Sequence, residues 1–199
     1  MSTSNAWERY LADHEDQHLE QLKEFLRIPS VSALPDHQPD VLRAAEWVAD
    51  QLRQAGVPDV TLLPTERNPI VYGHWHVSDD RTTALIYGHY DVQPPDPLDL
   101  WESPPFEPVI REGRIYARGA CDDKGNMFMP VKAIEALART QGRPQINVKF
   151  FIEGEEEIGS PSLPAFVRAE RDRLACDFVI CADGDMFGPD DPSLTCQWP

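Results

Sequence analysis

The feature that most limits what this chain can become is an alternation. TALIYG (83–88), INVKFFI (146–152) and DFVICA (177–182) are short runs with few polar positions, as expected of strands covered on both faces. VTLLP (60–64), PIVYGHWHV (69–77) and RIYARG (114–119) read as further strands. Before and between them lie stretches with helical spacing: 6–26, 41–56 closed by Gly56, 122–140 opened by acidic residues, and 161–173 opened by Ser160–Pro161. Helices alternating with buried strands predict a three-layer α/β/α domain around a mostly parallel sheet. A chain of 199 residues is enough for one sizeable core and too short for two, so residues 1–199 are read as one domain.

Charge narrows the partners. A formal net charge of −16 argues against nucleic acid, whose binders need a basic face, and against anionic membrane surfaces. The first 25 residues lack a basic segment followed by an apolar core, and no apolar run approaches membrane-spanning length. Cys121, Cys176, Cys181 and Cys196 form no CxxC pair, which suits free thiols in a reducing cytoplasm.

In open α/β sheets, ligands gather outside the carboxyl ends of the strands. TALIYG runs into His89-Tyr90-Asp91, INVKFFI into Glu153, Glu155, Glu156 and Glu157, and DFVICA into Asp183. Asp122 and Asp123 come after RIYARG at the start of a helix. Each group has a plain reading by itself: a loop histidine, a helix cap, a turn beside Gly184, a solvated acidic edge. Together they put four groups of carboxylates and imidazole on one rim of the sheet. Carboxylates so crowded repel one another unless a positive charge offsets them. A divalent cation supplies that charge, and such a donor set suits zinc, manganese or cobalt. Two residues apart in an extended segment, His89 and Asp91 share a face, so Asp91 can accept the second ring N–H of His89.

GHYDVQP (88–94), WESPPFEPVIREGRIYARGACDDKGN (101–126) and EGEEEIGS (153–160) resemble, in this order, the M20 metallopeptidases, in the branch of cytosolic nonspecific dipeptidases and carnosinase-like enzymes. The resemblance implies hydrolysis of a dipeptide by water activated between two divalent ions, zinc first, with manganese or cobalt as the others. It implies His89 and Asp183 as ligands of one ion, Asp122 as the carboxylate shared by both, and Glu157 as a ligand of the second. Asp91 orients His89, Glu156 is the general base, and the Asp122–Asp123 peptide bond is cis. Glu153 and Glu155 have no assigned role and are read as supporting or solvent-facing.

The match departs from the family pattern at its end. The family strand that comes after the acidic ligand is replaced by SLTC, and the sequence closes on QWP. On this reading the chain is the N-terminal part of a catalytic domain, without the lid and dimerisation domain and without the late histidine ligand. The homodimer that full-length members form is not expected of it. Two alternatives stay open: a non-catalytic remnant holding at most one metal, and an M20 deacylase of the succinyl-diaminopimelate desuccinylase or acetylornithine deacetylase kind.

Overall fold

The computed structural model describes residues 5–184 and Gly188. Asp185, Cys196, the SLTC stretch and the closing QWP lie outside the described residues. Five strands form the main sheet: β1 (Asp59–Leu63), β2 (Ile70–Trp75), β3 (Thr83–His89), β6 (Asn147–Glu153) and β7 (Phe178–Cys181), in the order β1-β2-β6-β3-β7. β3 runs parallel to both β6 and β7, whereas β2 is antiparallel to β1 and to β6. The sheet is therefore mixed, where the sequence suggested a mostly parallel one. Only six residues, 64–69, join β1 to β2, too few for the crossover that a parallel neighbour needs.

The three layers are as expected. On one face α2 (Glu15–Leu26), α3 (Gln38–Gln54) and α4 (Lys124–Gln141) cover the sheet. Here Phe25, Val41, Ala45, Val48, Leu52, Met127, Val131, Phe150 and Ile152 form the main core. The other face carries the short helices α5 (Leu163–Ala169) and α6 (Arg171–Leu174) over a smaller cluster of Ile70, Leu85 and Phe151. The alternation of Phe150 and Phe151 between the two clusters is the period-2 rule of a strand buried on both sides. The edge strand β7 has all four residues exposed.

Three boundaries differ from the sequence reading. The first helical stretch is two helices, α1 (Ala6–Asp13) and α2, separated at His14. The 161–173 stretch is likewise broken, at Glu170, into α5 and α6. RIYARG supplies β5 (Arg114–Tyr116), which pairs with β4 (Val109–Arg111) in a separate two-stranded ribbon. Asp122 therefore reaches the rim from the loop before α4, not from a strand of the main sheet.

One short segment ties this framework to the rim. After α2, the backbone of Val31 bridges that of Val92 in parallel, and the Val92 N–H donates to the Ser30 carbonyl at 3.0 Å. The fully buried Lys124 at the start of α4 holds that segment from below: its Nζ donates to the carbonyls of Phe25 (3.1 Å) and Ile28 (2.5 Å). Burial, with the charge of Arg43, lowers the Lys124 pKa to about 7, so this cation is costly to keep and serves as an internal tie.

Candidate metal centre

The parallel strands β3 and β6 end together, with His89 paired opposite Glu153, and β7 ends beside them just before Asp183. His89, Asp122 and Asp183 each offer a ligand atom there, and the three atoms lie within 4.8 Å of one another. His89 Nε2 is 3.0 Å from Asp122 Oδ1 and 3.9 Å from Asp183 Oδ2. Two ligands on a tetrahedral ion at about 2.1 Å stand about 3.4 Å apart, so these separations bracket what one ion requires. Glu156 is half-buried at the mouth, its Oε2 4.0 Å from the same nitrogen.

His89 is fully buried and held on three sides. Its backbone N–H donates to Asp123 Oδ2 at 3.0 Å, and its Nδ1 lies 3.1 Å from the Asp91 carbonyl and 3.3 Å from Asp91 Oδ1. Asp91 is held in turn: its Oδ2 accepts the Ser32 hydroxyl at 2.6 Å and the Glu157 N–H at 3.1 Å. A proton on Nδ1 directed at Asp91 leaves Nε2 as the nitrogen that faces Asp122. Burial alone would depress the imidazole pKa, but the hydrogen bond to Asp91 and the charges of Asp91, Asp123 and Asp122 outweigh it and lift it to about 10. Burial raises the Asp123 pKa to about 7, against the pull of the His89 N–H. Asp123 Oδ1 is buried without a hydrogen-bond partner. Clustered carboxylates around one imidazole fit a divalent cation: held by His89, Asp122 and Asp183, it would supply the counter-charge that a single imidazolium otherwise provides.

The other acidic residues divide. Glu157 stands apart from the trio: its Oε1 accepts the Gln93 N–H at 3.1 Å and its Oε2 the Gln93 side-chain amide at 2.6 Å. Burial raises its pKa, the Gln93 hydrogen bonds oppose this, and the Asp122 charge adds to the rise. Glu153 and Glu155 are buried, not solvent-facing, and both are supports. Glu153 Oε1 accepts the hydroxyls of Tyr87 (2.7 Å) and Ser160 (2.9 Å). Glu155 gathers the Asn68 and Ser162 N–H groups and the hydroxyls of Thr65 and Ser162, which pins the turn carrying Glu156 and Glu157 to the loop before β2. The Asp122–Asp123 peptide bond is cis.

Ser32, Gln93 and Lys124 were not singled out from the sequence. Gln93 and Lys124 lie in quoted stretches, but nothing in residue order says that Ser32 meets Asp91 across 59 positions. Gly154 is a further such position. An added Cβ there would collide with the phenol end (Cζ, Cε2 and Oη) of the fully buried Tyr90, whose hydroxyl donates to the Pro69 carbonyl at 2.6 Å. Gly154→Ala should therefore destabilise the fold by about 3 kcal/mol, the upper end of what overpacking costs. An unchanged urea midpoint would show that Tyr90 can move aside.

The α/β layering and an acid-and-imidazole cluster at the strand ends define the class: an α/β domain with a candidate divalent-metal site at the carboxyl ends of its strands. The particular assignment comes from comparison with known proteins, where the model of peptidase family M20/M25/M40 matches residues 85–193. The chain belongs to that family. It is 31% identical to the Beta-Ala-His dipeptidase of Rattus norvegicus over 94% of this chain and 41% of that protein. To the Cys-Gly metallodipeptidase dug1 of Schizosaccharomyces pombe it is 32% identical, over 91% of this chain and 40% of the relative. Among solved structures, the dipeptidase Dug1p of Saccharomyces cerevisiae superposes with a TM-score of 0.82 at 26% identity, covering 92% of this chain and 41% of that one. The chain thus spans about two fifths of the length of the curated relatives it matches. Among the described residues, no helix is long and apolar enough to cross a membrane.

Proposed function

We propose that this chain carries the metal-binding and proton-transfer residues of a dipeptidase that hydrolyses the peptide bond of a dipeptide. The observation that carries the reading is the convergence of His89, Asp122 and Asp183 with Glu156 4.0 Å from the same imidazole nitrogen. The relatives named as dipeptidases favour this substrate class over the deacylase alternative. The exposed free thiols Cys121, Cys176 and Cys181 suit a reducing cytoplasm.

His89, Asp122 and Asp183 would hold one divalent ion. A second would sit between Asp122, shared with the first, and Glu157, which Gln93 keeps oriented and whose oxygens retain lone pairs for it. Zinc is the first choice, with manganese or cobalt as the others. When bound, the ions lower the pKa of water and polarise the peptide carbonyl. The rest is done by side chains of this chain. Asp91 and Ser32 keep the His89 ring in one orientation and tautomer, so that Nε2 presents its lone pair to the rim. Glu156, with no hydrogen-bond partner for its carboxylate among the described residues, is free to accept the proton of the attacking water on Oε2. It then returns that proton to the departing amine. Asp123, bound to the His89 N–H, keeps the end of β3 against the start of α4.

The test is to load the protein with Zn²⁺, Mn²⁺ or Co²⁺, count the bound ions, and monitor amino-acid release from β-alanyl-histidine and cysteinyl-glycine. Release that a chelator stops and added ion restores is the expected result. Ion binding that is equal in the wild type and in a variant lacking Asp122 would overturn the site.

A further inference from the structure

A second pair of imidazoles lies at the far end of the sheet. Because β2 runs antiparallel to β6, His74 sits opposite Lys149 near the start of β6, while His89 sits opposite Glu153 at its end. Four strand residues, about 13 Å, separate the two levels. His74 lies on β2, and His76 comes directly after the strand's last residue, Trp75. Their ring centroids are 5.8 Å apart with the planes inclined at 62°. An ion about 2.1 Å from a nitrogen of each ring lies about 3.2 Å from each centroid, so rings at this separation can share one ion. Asp79 Oδ1 is 3.3 Å from His76 Nε2, close to the spacing of neighbouring ligands on a tetrahedral ion. Asp59 stands opposite His74 on β1. Lys149, the nearby cation, is committed elsewhere, donating to the carbonyls of Arg173 (2.6 Å) and Ala175 (2.7 Å).

We propose that His74 and His76 form a separate metal site, a two-imidazole clamp for an ion such as Cu²⁺ or Ni²⁺, with Asp79 as the adjoining carboxylate. Among the described residues only His89, Asp122 and Asp183 bring three ligand atoms within 4.8 Å, so the clamp is the pair of imidazoles, with the Asp79 carboxylate beside His76. Its donor set differs from that of the rim: two imidazoles select the metals at the top of the divalent affinity order, whereas a carboxylate-rich rim accepts harder ions. Burial, then the charges of Lys149 and His76, lower the His74 pKa, which keeps its ring neutral and able to bind an ion at neutral pH. An ion held here would fasten the end of β2 to the loop 77–80 and stabilise the folded chain in proportion to its concentration.

The test is a Cu²⁺ titration of the whole chain read by electron paramagnetic resonance, because nitrogen couplings count the imidazoles on each ion. The expected result is an ion coupled to two imidazole nitrogens. His76→Gln, at an exposed position, should abolish the two-nitrogen coupling. His89→Gln should leave that signal in place, since it removes only the single imidazole of the rim. A wild-type spectrum with at most one nitrogen per ion would overturn the proposal. So would a two-nitrogen signal that survives His74→Gln together with His76→Gln, which would place the ion on another pair such as His14 and His18.

Discussion

Glu156→Gln is expected to lower the turnover of a dipeptide by ~10²–10⁴-fold, the range a positioned acid–base group supplies, while the amount of bound metal stays near normal. The amide keeps the size and most of the polarity of the carboxylate but cannot carry a proton between water and amine. Glu156 is half-buried, and its carboxylate has no hydrogen-bond partner among the described residues, so its replacement leaves no orphaned neighbour. Its Oε2 is 4.0 Å from His89 Nε2, near enough to reach water at the metal centre without belonging to the converging trio. The measurement is kcat and KM alongside metal content by elemental analysis. Turnover within a few fold of wild type would remove Glu156 from the proton path. Loss of metal together with turnover would make it a ligand.

Asp122→Ala is the second large effect, with the opposite signature. Loss of an outer partner of a ligand already costs roughly 10–100-fold in metal affinity, and if Asp122 bridges two ions as proposed, its loss should cost more than that at both. The side chain of Asp122 is 63% exposed, so its removal opens no internal cavity and should leave thermal stability in the absence of metal little changed. Metal content would fall while the circular dichroism spectrum stays native. Two tightly held ions in this variant would dismiss the bridging role. One retained ion would assign Asp122 to a single site. Comparing the two variants separates proton transfer from metal holding, because the first change spares the ions and the second does not.

Much of this was legible in residue order because strand burial and strand ends leave direct marks. A strand covered on both faces rarely carries charge, so TALIYG and INVKFFI stand out, and the residues directly after them supply the first polar chemistry at the sheet's edge. That is why His89 and Asp183 could be named before their convergence was seen, whereas Asp122, which follows no strand of the main sheet, was named from the motif around it. The spacing of His89 and Asp91 announced their contact, since alternation along an extended segment is a local property. Glu153 and Glu155 were harder to place. Their burial depends on Tyr87, Ser160, Asn68 and Ser162, and an acidic run gives no sign of which of its members turns inward.

The sequence by itself determined the family, the layering and the chemical identity of the rim, because each depends on which residues come after which strand. The tertiary structure alone decided the direction of β1 and β2, the route by which Asp122 reaches the site, and the grip of Ser32 on Asp91 and of Gln93 on Glu157. It also decided that His74 and His76 stand at the opposite end of the sheet from His89. These are contacts between segments that folding brings together, and their formation depends on loop lengths, strand pairing and packing that no single stretch contains.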